Sequence, residues 1–360
     1  MHHSHRSASQ IRRWLAQFLP RRGYKRLLDF LPFLILGMIR SSSCHLSRIG
    51  CAVPMMVLAK TSLQRVWRWI CRPTLANSEL LPRVVHGIVE AQAMESIIVA
   101  VDRTEWKHAN YLYAAISYRG RAIPIAVMLL SGPKATNVGE LRQLLAQVAL
   151  GVPPGTQVII VGDREFGNIP AIRAISKCGW DYCLRFKKDT SMRDVHGNRW
   201  RADTCFPKRG SSSLTPDLWV TGHTYGPVNV ATIWDHREDE PWMLVSNLPV
   251  AQLRQVYRRR MRIEEMFSDF KERAFDLEAT RLREPLRLLN LAVLLALTYI
   301  WLLIAATTII KRRLRRTVDP AAKRALSYTQ IALRFINNKP PEDVDRIFAA
   351  TISRYVISEG

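Results

Sequence analysis

Acidic residues are scarce in this chain. Its 360 residues hold 30 Asp and Glu against 53 Lys and Arg, a formal charge of +23. An excess of that size points to a polyanionic partner, either nucleic acid or an acidic membrane surface. It names a class of partner and no chemistry. Paired cysteines are missing too. Cys44, Cys51, Cys71, Cys178, Cys183 and Cys205 form no Cys-x-x-Cys pair and no Cys/His spacing suited to structural zinc. They are expected as free thiols of a reducing compartment. The nine histidines are scattered, and His2, His3 and His5 resemble nothing catalytic. There is no internal repeat and no long low-complexity tract. Apolar residues make up 48%, enough for a substantial core, which excludes wholesale disorder. The length suits one large domain with one or two smaller ones.

A convincing export signal is also lacking. Residues 27–39 are apolar and follow basic residues, but Asp29 and Pro32 interrupt them. Residues 289–310 carry no formal charge, over a length close to the roughly 20 residues that cross a bilayer. Asn290, Thr298, Thr307 and Thr308, and the amphipathic LREPLRLL before them, favour a buried core helix over a span. The chain is therefore expected in the cytosol, with no membrane partner.

What is present centres on a stretch without Gly or Pro, residues 251–277, which includes YRRRMRIEEMFSDFK (257–271). Its density of helix formers predicts a helix. At about 100° per residue, Tyr257, Arg260, Glu264 and Lys271 share a stripe about 60° wide. Val256, Ile263, Met266 and Phe270 fall on the opposite side, where a core would lie. A carboxylate framed by two cations and a phenol suits metal-dependent phosphodiester chemistry. A solvated charged face is the alternative.

Taken in order, residues 1–95 are basic and predicted helical, with helices at about 25–40, 44–53 and 61–72, the last capped by Thr61 or Ser62. Arg65, Arg68 and Arg72 recur along that helix, with Val66, Trp69 and Ile70 on its other face. The pattern suits a helix-turn-helix module and equally a helical bundle with a solvated basic face. From Ser96 the runs SIIVAVDRT, YLYAAISY and AIPIAVMLL read as an antiparallel meander. A helix at about 137–149, the strand QVIIVGD, a helix at about 168–177 and the strand DYCLRFKKD follow. This is the order of an α/β, RNase H-like mixed-sheet core, with parts at 96–189 and 251–310. Residues 190–250, with strand candidates LWVTGHTY, VNVATIWD and PWMLVSNL, read as a small β-rich insertion. Residues 311–360 read as a basic, helical C-terminal region.

Asp102 lies near the end of the first strand and Asp163 ends the fourth. In such a sheet those strands are neighbours, and Glu264 from the helix would supply a third carboxylate. Three carboxylates without His or thiolate suit hard divalent cations, two Mg²⁺ or Mn²⁺ ions. A lone Asp ending a strand is more often a turn or a helix cap.

The spacing Tyr257-x2-Arg260-x3-Glu264-x6-Lys271, with VDRTEW around Asp102 and VGDREFG around Asp163, resembles the DDE transposases of bacterial insertion sequences, of the insertion-sequence-four type. PWMLVSNLPV matches the end of that family's β insertion, and the N-terminal helices resemble its DNA-binding region more loosely. The resemblance implies cut-and-paste transposition, with DNA cleavage and strand transfer at terminal inverted repeats and a dimer on DNA. It implies Asp102, Asp163 and Glu264 as metal ligands, and Tyr257, Arg260 and Lys271 as holders of phosphate. It also implies Trp242 as a stacking platform for a flipped base, where the residue alone reads equally as a core aromatic. Another RNase H-like nuclease, of resolvase or repair type, and a non-enzymatic membrane or DNA-binding protein are the alternatives.

Overall fold

The β-branched and aromatic runs assemble into one sheet of ten strands. The computed structural model describes the chain except for residues 1, 20–23, 55–57, 73–74, 77–78, 107–108, 133, 222–224 and 353–360. The side chains of His2 and His3, the middle of LWVTGHTY and the last residues of the C-terminal region therefore lie outside the described residues. Among the described residues five helices come first: α1 (His2–Ala16), α2 (Lys25–Ser41), α3 (Leu46–Ala52), α4 (Ala59–Ile70) and α5 (Leu80–Ala91). Strands β1 (Ser96–Trp106), β2 (Ala109–Tyr118) and β3 (Arg121–Leu130) follow, then α6 (Val138–Leu150), β4 (Gln157–Gly162), α7 (Ile169–Lys177) and β5 (Asp181–Phe186). Next come β6 (Ser191–Arg193), β7 (Arg199–Arg201), β8 (Ser212–Val220), β9 (Tyr225–Ile233) and β10 (Trp242–Ser246). The chain closes with α8 (Leu253–Arg258), α9 (Met261–Ser268), α10 (Pro285–Lys311), α11 (Tyr328–Asn338) and α12 (Pro341–Ile352).

The strand order is β3-β2-β1-β4-β5-β10-β9-β8-β6-β7. β1 is antiparallel to β2 and β2 to β3, whereas β1, β4 and β5 run parallel. This mixed α/β architecture agrees with the expected class. Within residues 190–250, β10 pairs antiparallel with β5 and carries β9 and β8 behind it. An uncovered β5 would present a row of unpaired N–H and C=O groups, and β10 satisfies them.

The uncharged run at 289–310 is the middle of α10. That helix is long and apolar enough to cross a membrane, yet 94% of its most apolar window is buried within the protein. It lies against β3 and is wrapped by helices from both ends of the chain. Trp301 sits 5.1 Å from Trp14 of α1 and 5.2 Å from Phe348 of α12, ring centre to ring centre. The Ser7 hydroxyl donates to Asp345 at 3.0 Å and closes α1 onto α12. Asn290 bridges α10 to the end of α4: its amide donates to the Ile70 and Arg72 carbonyls at 2.9 and 2.6 Å and accepts from Ala76 N–H at 2.8 Å. These bonds occupy carbonyls that a helix C-terminus otherwise leaves bare.

The expected cap at Thr61 or Ser62 is corrected. α4 starts earlier, at Ala59, and the Ser62 hydroxyl instead donates to the Gly50 carbonyl of α3 at 2.8 Å. A Cβ on Gly50 would come within 3.0 Å of Leu63 Cα, so glycine permits this close crossing.

Candidate active site

Strand register sets the two aspartates side by side. In the parallel pair, Val101 stands opposite Gly162, so Asp102 and Asp163 are the next residues on neighbouring strands. β1 continues to Trp106 against β2, while β4 stops and the chain turns. That turn is tied at both ends. Asp163 accepts from Glu165 N–H at 2.9 Å through one carboxylate oxygen, and its carbonyl accepts from Phe166 N–H at 3.1 Å. Gly167 then passes so close to β5 that a Cβ there would run into the Arg185 carbonyl oxygen. Asn168 caps α7 by accepting from Ala171 N–H at 2.9 Å. The DREFGN sequence is thus a strand-to-helix turn that holds one carboxylate at the sheet's end.

Glu264 approaches from the stretch that lacks Gly and Pro. Val256, Ile263, Met266 and Phe270 are all buried, as the periodicity requires. Phe267 and Phe270 pack on Tyr113 at 5.6 and 6.0 Å, which fixes this face on the sheet. The helix is not continuous. Arg259 and Arg260 separate α8 from α9, and a π-helical turn, Asp269–Arg273, follows. Around the break the N–H groups of Arg259, Arg260, Arg262 and Ile263 bond three residues back. Such bonding advances about 120° per residue instead of about 100°.

Tyr257 keeps its place beside Arg260, whose guanidinium carbon lies 5.8 Å from the ring centre. It is buried, its ring 5.0 Å from Trp242, and its hydroxyl has no hydrogen-bond partner. Burial pushes its phenol up to about 12, against the pull of Arg260 and Arg185. Trp242 is likewise only 3% exposed, so its ring closes the space between β10 and α8 and is not open to solvent. Lys271 lies half-buried on the π-helical turn, in none of the hydrogen bonds or ion pairs among the acids of the described site.

Arg260 joins the acids. Its guanidinium donates to Asp102 at 2.8 Å and to Glu264 at 2.5 Å. Burial lowers its proton affinity, but Tyr257, Asp102, Glu264 and Asp163 outweigh this and hold it above its ordinary value. Asp102 shows the same crowding from the other side. Burial pushes its carboxyl up to about 7; Arg260 and the Arg103 N–H oppose this, while Asp163 and Glu264 add to it. Among the described residues no three His, Cys, Asp or Glu side chains are arranged to hold a metal ion as they stand. The Arg260 guanidinium instead bridges Asp102 and Glu264. The donor set itself, three carboxylates with oxygen ligands only, fits a hard divalent cation.

Several neighbours were not singled out from the sequence. Arg103 lies 3.7 Å from Glu165, and Glu165 accepts from Thr136 N–H at 2.6 Å. Glu240, from the loop before β10, pairs with Arg164 and, at 3.0 Å, with Arg185. Asp235 pairs with Arg258 and, at 3.7 Å, with Arg254, tying α8 to the β9–β10 loop. Arg103, Arg164 and Glu165 flank the two aspartates directly in the chain, so position in those blocks was the available signal. Glu240 and Asp235 carried none. Arg65, Arg68 and Arg72 are exposed on α4 and its end, while Val66 and Ile70 are buried.

Residues 94–301 match the family model for the transposase DDE domain. The chain belongs to that family. The matched span opens just before β1, ends inside α10 and holds all three acids with Arg260 between them. No curated protein matches the chain. Family membership makes the chain a transposase with DNA as its partner, in a class that generally uses divalent metal ions. α1–α5 with their basic α4, and the helices after α10, lie outside the matched residues.

Proposed function

We propose that the protein is a cut-and-paste transposase of a bacterial insertion sequence, of the insertion-sequence-four type, acting at terminal inverted repeats. One observation carries this reading. Two aspartates stand one step past a Val101–Gly162 rung, and a single arginine bonds one of them, Asp102, together with the helix glutamate Glu264. The strand order 3-2-1-4-5 with this pattern of directions supports an RNase H-like core. Residues 96–189 and 251–310 would form it, with 190–250 as the inserted strands, 1–95 as the DNA-binding region and 311–360 as a basic C-terminal region.

Asp102, Asp163 and Glu264 would hold two Mg²⁺ or Mn²⁺ ions. When bound, such ions lower the pKa of a water or 3′-hydroxyl and stabilise the leaving oxygen of an in-line displacement. The protein's own groups supply the rest. Arg260, released from its bonds to the carboxylates, turns its fork to a phosphate of the scissile strand, and Lys271 adds a second charge. Tyr257, with an unpartnered hydroxyl, is a third phosphate donor once it turns outward. Trp242 then offers its face to an unstacked base, a contact worth about 1–3 kcal/mol. Hydrolysis frees a 3′-hydroxyl, which attacks the opposite strand and displaces the flanking DNA's 3′-oxygen to give a hairpin; a second water opens the hairpin and frees the 3′-hydroxyl again, which then joins to target DNA. Arg65, Arg68 and Arg72 contact the repeat, and synapsis of two ends requires a dimer. The site is cytoplasmic and nucleoid-associated in this reading, with α10 as a core helix.

A cleavage assay on the element's own ends, with and without Mg²⁺, tests it. Glu264→Gln and Asp163→Asn should each abolish 3′-end cleavage while terminal-repeat binding stays within a few-fold of wild type. Cleavage that survives either change, or that proceeds in chelator, would overturn the site.

A further inference from the structure

On the outer face of α9, away from the three acids, lies a cavity of about 550 Å³ between the start of β3, the π-helical turn, α10 and the segment leading into α11. Four arginines line it: Arg121, Arg262, Arg273 and Arg324. Only Glu265 and Asp269 oppose them there, and Glu265 is already engaged by Arg262 at 2.6 Å. Asp269 is 4% exposed and accepts from the Thr329 hydroxyl at 2.9 Å. Arg121 and Arg324 both lie against the Tyr328 ring, 3.2 and 4.7 Å from its centre. Arg121 also keeps a buried Nε without a hydrogen-bond partner. Burial, opposed by Tyr328 and reinforced by Arg324, holds its guanidinium below its ordinary value. Two like charges share one ring in a partly dry pocket with too little acid to balance them. An anion would relieve that repulsion, and planar guanidinium forks match phosphate oxygens.

The surface beyond the pocket says which anion. Arg262 also lines a second depression together with Arg254, Arg258 and Arg259. Arg254 and Arg258 stand four residues apart on α8, about 6 Å along its axis, or roughly two nucleotide steps of 3.4 Å, and Arg262 continues the row on α9 beyond the break. Asp235 engages Arg254 and Arg258 in part. A row of cations at that interval suits a polymer of phosphates more than one small anion. We propose that the four-arginine pocket seats a backbone phosphate of duplex DNA, at a place separate from the three acids and from α4. This rests on the reading of the chain as a DNA-processing enzyme.

The test uses the full-length chain and duplex DNA over a range of salt concentrations. Arg273 and Arg324 are exposed, so the double variant Arg273→Glu/Arg324→Glu should keep the fold, checked by circular dichroism. It should bind about tenfold more weakly. The slope of log affinity against log salt should fall by about 0.9 for each phosphate that the variant no longer neutralises. Arg173→Glu/Lys177→Glu, an equal charge change on the exposed face of α7, should keep near-wild-type affinity and slope. Equal weakening in both variants, or none in the pocket variant while wild type binds DNA, overturns the proposal. Inorganic phosphate that raises the melting temperature of wild type but not of the pocket variant, with DNA affinity the same in both, assigns the pocket to a free anion and overturns it as well. A wild-type chain that fails to bind duplex DNA removes the functional reading and this proposal together.

Discussion

Arg260 is the residue on which the site's electrostatics turn. Its bond to Asp102 is largely sheltered, with 12% and 14% of the two side chains exposed. Its bond to Glu264 reaches a carboxylate that is 44% exposed, where solvent screening leaves such a pair worth about 0–1 kcal/mol. The Asp102 pair therefore dominates. Removing one partner of a buried pair costs about 3–5 kcal/mol, because the other charge is left uncompensated. Arg260→Gln should lower the metal-free protein's unfolding free energy by that order, read from urea titration. Added Mg²⁺ should then stabilise the variant more than wild type, since the carboxylates no longer have a cation of their own. An unfolding midpoint equal to wild type without metal would mean that Arg260 does not balance these acids. Tyr257 teaches a different lesson at this scale. Its spacing to Glu264 is legible in the chain, but its burial against Trp242 depends on how α8 packs on β10.

At the scale of elements, the positions of the acids follow from strand ends and one interrupted helix. The turn after Asp163 needs Gly167 because the β5 backbone lies where a side chain would go. The helix carrying Glu264 is held by an aromatic cluster, with Phe270 also 5.1 Å from Tyr299 of α10. α10 in turn steadies the basic helix of the N-terminal region through Asn290. That side chain is fully buried and uses three hydrogen bonds to finish α4 and fix the chain beyond it. Asn290→Ala should destabilise the protein by about 2–3 kcal/mol. It should also raise amide exchange in α4 more than in β1 or β4. Uniform protection across these elements would show that α4 is held by its apolar face alone.

For the whole molecule, charge and burial decide how the chain meets its surroundings. The +23 charge predicts binding to nucleic acid that weakens steeply with salt. α10 is long and apolar enough to cross a membrane, but helices from both ends of the chain cover it. Cell extracts made in high salt without detergent should therefore hold the full-length chain in the supernatant. A chain that needs detergent even at high salt would reopen the reading of residues 289–310 as a span. Residues 1–95 and the helices after α10 pack around that same helix, although only 94–301 match the transposase domain. A core this shared makes the terminal regions part of the fold's stability.

Local patterns were enough to locate the strands, most helices, the three acids and Arg260. Alternation of apolar residues and the step of the helix act over a few residues, so they can be read along the chain. Asp163 announced itself as an acid at the end of a strand, Asp102 as an acid in a β-branched run, and Glu264 by its framing cations. Contacts between distant segments could not be read this way. That β10 would cover the edge of β5, that Glu240 would tie Arg164 to Arg185, and that Tyr257 would turn inward depend on packing in three dimensions. The pocket of Arg121, Arg262, Arg273 and Arg324 is the clearest case. Its arginines are spread over some two hundred residues, and only the folding of β3, α9 and the approach to α11 onto one another makes them neighbours.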